Sequence, residues 1–402
     1  MSRAIIPDHV PAHLVWDHDI EQFPKQFENP FVGASDALHE GPDIIWSPRN
    51  AQFGRPGWII TRRNLQEEIY LDAVRFPAAA SGGLTAIIGK DVALIPLESD
   101  PPMHRHYRQL LQPFFTPSAV KAHDPMIRDI CRSLIDAFAD RKRVDFVAEF
   151  SSLLPSHIFL HMFGLPIDML PQFLKWEHGF LGRDGLEAQF TATREIYEYL
   201  KESCERKRQE PADDLMSKIV HAEVDGRPLT EDEVDGMCFT LFGGGLDTVS
   251  NSLGVKMWHL ARDVELQARL RDDPDLFPAA IEELLRAYPV TNNSRTVGMD
   301  LEFHGVKMRK GDRVALTNVL AARDPQAYDQ PHAIDIDRKV RNTSFGTGVH
   351  NCLGIHLARR ELRIAFEELF ARMKNFRIVA GSQPEFDFTP TWGVKSLVLE
   401  WE

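Results

Sequence analysis

The segment Phe345-Gly346-Thr347-Gly348-Val349-His350-Asn351-Cys352-Leu353-Gly354 concentrates residues that could do chemistry. Its glycines tolerate φ > 0 and let the backbone lie close against a flat ligand. Its cysteine directly precedes a stretch with helical spacing. A cysteine at a helix N-terminus is stabilised as thiolate by the helix dipole and the unsatisfied amides. A thiolate is a good axial ligand to haem iron and pushes electron density toward O–O cleavage. The competing reading is a buried structural cysteine beside an ordinary turn. That reading suits a lone cysteine better than this whole arrangement.

Three further clusters carry reactive or charged groups. In Asp100-Pro101-Pro102-Met103-His104-Arg105-His106-Tyr107-Arg108 the prolines suit a helix start, and His104 and Arg108 then share a face at i and i+4. Gly243-Gly244-Gly245-Leu246-Asp247-Thr248 places three glycines inside a helical stretch, at a cost of about 1 kcal/mol each relative to alanine. Absent side chains would let a flat macrocycle and dioxygen approach; close helix–helix packing explains the glycines equally well. Thr248 can bond a backbone carbonyl and loosen the helix there. Glu283-Leu284-Leu285-Arg286 sets opposite charges at i and i+3, which is either a brace or a solvated pair contributing little.

These residues need elements to position them. Gly57 to Thr61 reads as a strand and Asn64 onward as a helix. Ala78 to Leu97 reads as a long ordered loop. From Pro101 to about Glu283 the helical period dominates. Thr230-Glu231-Asp232-Glu233 is a capping box and opens one long helix that runs to about His259. A helix over Pro278 to Ala287 ends before Pro289. Glu302 to Met308 alternates as a strand, with Arg313 to Thr317 as its expected partner across Lys310-Gly311-Asp312. A helix is expected from Ile355 to Met373 and a short β region around Val394 to Leu399. The fold class is mainly α with a minor sheet component. One domain is expected over residues 1–402, mixed β/α to about residue 100 and helix-rich beyond.

The chain has 402 residues and a formal net charge of -13, which repels nucleic acid phosphates and argues against such a partner. Cys131, Cys204, Cys238 and Cys352 form no C-x-x-C pair, so neither a disulfide framework nor a zinc site is expected, and the first three read as inert core thiols. The early charges and two prolines of the first twenty residues suggest neither a secretory signal nor an anchor. No long uncharged apolar run suggests a membrane span. A reducing cytoplasm is the expected compartment.

The segment ending in Gly354 resembles the haem-binding loop of the cytochrome P-450 family, F-G-x-G-x-H-x-C-x-G, at every fixed position. The resemblance covers nearly the whole chain and is closest to the bacterial class related to camphor-hydroxylating enzymes. It implies the helix-rich triangular prism of that fold, with haem b between the central long helix and the helix after the cysteine. It also implies that Cys352 ligates the iron, that Phe345, Gly346, Gly354, Gly244 and Gly245 border the haem, and that His104, Arg108, Arg295 and His350 hold its propionates, with Asn293 adding a hydrogen bond. Glu283 and Arg286 become a buried brace, with Arg338 as third member. Asp247 and Thr248 become the pair that relays protons and hydrogen-bonds dioxygen in a groove of the central helix.

The resemblance further places Gly83 to Val92, Thr240, Gly243, Thr291, Thr391 and Trp392 around the substrate. Val92 stands where camphor-hydroxylating relatives carry a tyrosine that binds the substrate carbonyl, so a terpenoid or ionone-like substrate other than camphor is expected. The chain carries no flavin or nicotinamide fingerprint and no iron–sulfur cysteine set. The implied electron donor is a [2Fe–2S] ferredoxin with a separate reductase, docking on a locally basic face of Arg105, Lys339, Arg341, Arg359 and Arg360. The expected activity is haem-dependent monooxygenation of a C–H bond. A peroxide-driven peroxygenase and a non-catalytic haem sensor are the alternatives.

Overall fold

The computed structural model describes residues 6–52, 54–78, 92–339, 342–388 and 391–402. The helices used below are α1 (Pro30–His39), α2 (Arg63–Leu71), α3 (Met103–Leu111), α4 (Asp124–Asp136), α5 (Leu153–Phe163), α6 (Leu170–Phe180), α7 (Leu186–Gln209), α8 (Glu231–Gly245), α9 (Asp247–Leu260), α10 (Phe277–Ala287) and α11 (Ile355–Arg372). The strands are β1 (Ile44–Gln52), β2 (Arg55–Ile60), β3 (Asn292–Thr296), β4 (Leu301–Phe303), β5 (Val306–Met308) and β6 (Arg313–Thr317).

The chain divides into two compact units, and neither is continuous in sequence. The first takes Met1–Ser81, Glu282–Cys352 and Phe386–Gly393; the second takes Gly82–Ile281, Leu353–Glu385 and Val394–Glu402. The unit containing the N-terminal residues therefore closes with segments from much later in the chain, a grouping that chain order near residue 100 does not reveal.

The first unit is built on a four-stranded sheet in the order β1-β2-β6-β3. β1 and β2 pair antiparallel with Trp46 opposite Trp58, and β2 runs parallel to β6 with Trp58 opposite Val314. Side chains alternate between faces with period two. Trp46, Trp58, Ile60, Val314 and Leu316 fill one core, while Ile45, Ile59 and Ala315 fill the other. Burial on both faces explains the unbroken apolar run Trp58-Ile59-Ile60.

The expected pairing of 302–308 with 313–317 does not form. Residues 301–308 fold back on themselves as β4 and β5, with Leu301 opposite Met308. His304 and Gly305 both have positive φ, 47° and 81°, the backbone that a tight two-residue hairpin turn requires. β6 pairs instead with β2 and β3.

Glu283 and Arg286 on α10 are buried, at 4% and 1% exposure. Arg286 donates to both Glu283 carboxylate oxygens, at 2.7 and 2.9 Å, and to the carbonyls of Ala322, Pro331 and Ala333. Arg338 adds a bond to Glu283 at 3.2 Å. The pair is thus a brace and not a solvated surface pair.

The second unit is helical. Its core gathers Phe159 and Phe163 of α5, Phe173 and Trp176 of α6, and Phe239 and Phe242 of α8. α8 begins with a capping box, the Thr230 side chain accepting from Glu233 N and the Glu233 carboxylate from Thr230 N. Tyr107 on α3 and Arg227 also donate to Glu233, at 2.6 and 2.7 Å. The hydrogen bond to Arg227 holds the Glu233 carboxyl down, at about 2. The single helix expected to reach His259 is instead two helices that meet at Leu246, where φ is -97° and ψ -68°. No helix among the described residues is long and apolar enough to cross a membrane.

Removing one partner of a buried ion pair leaves an uncompensated charge. Glu283→Ala and Arg286→Ala are each expected to lower unfolding free energy by about 3–5 kcal/mol. Urea titration measures it; a loss under about 1 kcal/mol would show that the pair behaves as a solvated one.

Candidate active site

The cysteine loop is held by its own backbone and by α10. Cys352 N donates to Phe345 O at 2.9 Å, and the Asn351 amide donates to the carbonyls of Phe345 and Gly346. Gly346 N bonds to Thr343 O, and the Ser344 hydroxyl donates to Leu285 O on α10 at 2.5 Å. Gly346 and Gly348 have φ of 67° and 72°. A Cβ at Gly348 would also lie 2.7 Å from the Tyr70 carbonyl oxygen, so that position needs glycine on two grounds. Cys352 is half-buried, and α11 starts three residues later with Gly354 as its N-cap.

Arg295 lies on β3, 8% exposed, with its guanidinium 5.3 Å from the centre of the Tyr70 ring. Asn293 donates its amide to the Tyr70 hydroxyl at 2.8 Å, which in turn donates to Asn318 at 3.2 Å. The Asn293 amide, expected to face a propionate, is thus engaged with Tyr70. Burial pushes the Tyr70 phenol up to about 12. Tyr70 was not legible as a site residue, because nothing in local spacing ties α2 to β3. His350 is partly buried at the end of a short 3-10 turn.

In the second unit, His104 is buried at 2% and Arg108 is half-buried on α3, one turn apart, while Arg105 is exposed. Burying a basic side chain calls for a polar or anionic partner.

At the α8–α9 junction, the Thr248 hydroxyl donates to Gly244 O at 3.0 Å, the loosening expected of it. Most of α8 and α9 is buried, yet Leu241, Gly245 and Thr248 are partly open and Gly244 is exposed. A Cβ on Gly244 would meet nothing within 4 Å.

Asp247 is 4% exposed. Its carboxylate accepts from Arg183 at 3.0 Å and from the Asn251 amide at 2.8 Å. Glu177 on α6 is also buried, and its carboxyl is pushed up to about 8 by burial and by the Asp247 charge, with Arg183 opposing. Neither Glu177 nor Arg183 was foreseen, since only tertiary packing brings residues 177 and 183 to residue 247.

The expected pocket residues divide. A Cβ on Gly243 would lie 3.6 Å from the Phe180 ring, and Thr240 donates its hydroxyl to Gly236 O at 2.8 Å. Val92 is buried in the helical core, against Gly236; Gly83 to Asp91 lie outside the described residues. Thr291 and Thr391 face each other in an isolated bridge, and Thr291 also accepts from the Asn318 amide. Trp392 is fully buried, edge-on to Phe31 and Phe388.

Of the expected basic face, Arg105 and Lys339 are exposed and Arg359 partly so. Arg360 is neutralised in a two-pronged pair with Asp124, and Arg341 lies outside the described residues.

Comparison with known proteins agrees with this architecture. The cytochrome P450 family model matches residues 157–396. A relative from Sinorhizobium fredii, probable cytochrome P450 127A1, is 35% identical over 402 aligned residues, covering 98% of this chain and 97% of its own. Cyclomarin C epoxidase CymV from Salinispora arenicola is 34% identical, covering 80% of each chain. Among solved structures, CYP101J2 superposes with a TM-score of 0.86 at 33% identity and CYP101C1 with 0.87 at 32%, each covering 99% of this chain and 100% of its own. The chain belongs to the cytochrome P450 family and is a P450 monooxygenase.

The family's cofactor is haem, iron protoporphyrin IX, and the residues present fit it. One thiol stands at a helix start, glycines at 244 and 354 leave room where a Cβ would project into open space, and Arg295 supplies a buried cationic guanidinium of the kind that suits a propionate.

Gly348→Ala is expected to destabilise the loop by about 1–3 kcal/mol, since it adds both a strained φ and a backbone clash. Thermal unfolding measures it; an unchanged midpoint would mean that the turn relaxes freely.

Proposed function

We propose that Cys352 supplies the thiolate ligand of the haem, and that His104, Arg108, Arg295 and His350 hold its propionates, within a single haem domain spanning the chain. The observation that carries the reading is the geometry of the cysteine loop, with positive-φ glycines ahead of a half-buried thiol at the start of α11. Haem, when bound, supplies dioxygen activation. This chain's residues supply the rest. Asp247, anchored by Arg183 and Asn251, carries a proton inward, and the Thr248 hydroxyl passes it on.

The substrate is a small apolar molecule, terpenoid or ionone-like. Support comes from the Phe180 ring, which lies near Gly243 and meets Phe239 and Phe242 edge-on. It also comes from the Thr240 hydroxyl, which is engaged with a helix carbonyl. Substrate orientation selects the carbon oxidised. Electrons come from a [2Fe–2S] ferredoxin that docks against Arg105, Lys339 and Arg359, and the enzyme works in the cytoplasm.

The reduced carbon monoxide complex tests the ligand. A strongly red-shifted Soret band is expected in the wild type and not in Cys352→Ala; its presence in both would assign the thiolate elsewhere. Thr248→Ala is expected to lower product formed per electron consumed by roughly 100-fold, and unchanged coupling would remove Thr248 from the relay. Arg359→Glu is expected to slow ferredoxin-driven reduction most at low salt while leaving substrate-induced spectral shifts unchanged. An equal rate in the variant would move the docking face.

A further inference from the structure

Glu177 has no task in the scheme above, yet it sits where a carboxyl is costly. It is 6% exposed on α6, and its Oε2 atom is buried with no hydrogen-bond partner among the described residues. A buried carboxylate left this way would pay heavily for its charge. The groups facing it are Ser156 on α5, Arg183 on the turn after α6, and Asp247 on α9. Glu195 on α7 is engaged elsewhere, accepting from the Trp176 indole at 2.7 Å.

Burial and the Asp247 charge favour the neutral acid at Glu177, while Arg183 and the Ser156 hydroxyl favour its carboxylate. Asp247 is the better-served anion, holding Arg183 at 3.0 Å and Asn251 at 2.8 Å. The Ser156 hydroxyl also donates to Ser152 O at 3.0 Å. Two carboxyls beside one guanidinium are neutral overall when one proton is shared between them.

We propose that Glu177 is a second proton-carrying carboxyl of the enzyme, which stores a proton in its buried cluster with Ser156, Arg183 and Asp247 and passes it to the Asp247 carboxylate. This rests on the reading of Asp247 as the relay residue. In the transfer the O–H bond at Glu177 breaks and one forms on an Asp247 carboxylate oxygen. Glu177 becomes the carboxylate that Arg183 neutralises, and it recovers a proton from water. The net charge of the cluster does not change, so no uncompensated charge is created in the interior. Glu177 is a positioning and proton-storing residue, one step removed from the reacting atoms.

The test compares Glu177→Gln, Asp247→Asn and wild type in the holoenzyme. Infrared difference spectra at neutral pH are expected to show a protonated carboxyl band in the wild type that Glu177→Gln removes. Stability supplies a second readout. A carboxyl whose folded value lies above the unfolded 4.5, at about 8, contributes stability in full below the unfolded value and loses it as pH rises through the folded one. The melting temperature of Glu177→Gln is therefore expected to rise relative to wild type between pH 5 and pH 8. In turnover, Glu177→Gln is expected to lower product per electron by roughly tenfold or more and to raise the solvent isotope effect. It should also abolish the loss of activity expected of the wild type as pH rises through about 8. If Asp247→Asn impairs coupling while Glu177→Gln changes neither the band, the pH profile nor the isotope effect, the storage role of Glu177 falls and the relay stands. If Asp247→Asn itself leaves coupling intact, the relay reading falls and this inference with it. Glu177→Leu, which removes the carboxyl without leaving an amide, is expected to reproduce the loss; wild-type coupling in that variant would overturn the proposal.

Discussion

The first unit depends on the ion pair between Glu283 and Arg286. Arg286 gathers the carbonyls of Ala322, Pro331 and Ala333 around a single guanidinium, and Glu283 accepts from Arg338 and from the Asp335 amide. A buried pair of this kind contributes little net stability compared with an apolar substitute, but it tolerates no loss of one member. Its effect here is positional. α10 carries the pair and also the Leu285 carbonyl, which receives the Ser344 hydroxyl. The cysteine loop is thus referenced to the same helix that the ion pair fixes.

The second unit meets a related constraint in a different way. Its central helical stretch gives up continuity at Leu246, where three glycines and the Thr248 hydroxyl weaken the backbone ladder. Just beyond that break Asp247 is buried and must be compensated, which Arg183 and Asn251 do. An exposed glycine and a buried carboxylate therefore lie three residues apart on nearly the same turn, one leaving space and the other carrying charge.

Much of this was legible in the sequence where the rule is local. The capping box at Thr230 and Glu233, the strand around Trp58 and the helix after Cys352 each follow from residues within a few positions of one another. The cysteine loop was legible because its chemistry and its turn geometry are written in consecutive residues. The hairpin at His304-Gly305 was hidden by an alternation that runs straight through its turn. β3, with its polar Asn292-Asn293-Ser294-Arg295, is a strand because β6 offers it a partner, not by propensity. Trp392 and Glu177 escaped a local reading because burial is decided by segments far away in the chain.

The discontinuity of the first unit bears on synthesis. Residues up to Ser81 belong with segments that begin at Glu282, so β2 waits for its parallel partner β6 while about 250 further residues are made. At 5–20 residues per second that is roughly 13–50 s on the ribosome. During that interval β1 and β2 expose an unpaired strand edge and the apolar faces of Trp46, Trp58 and Ile60. The nascent N-terminal segment is thus a natural client for chaperones, and the unit that contains the cysteine loop is completed only when its last segment, Phe386–Gly393, has been made.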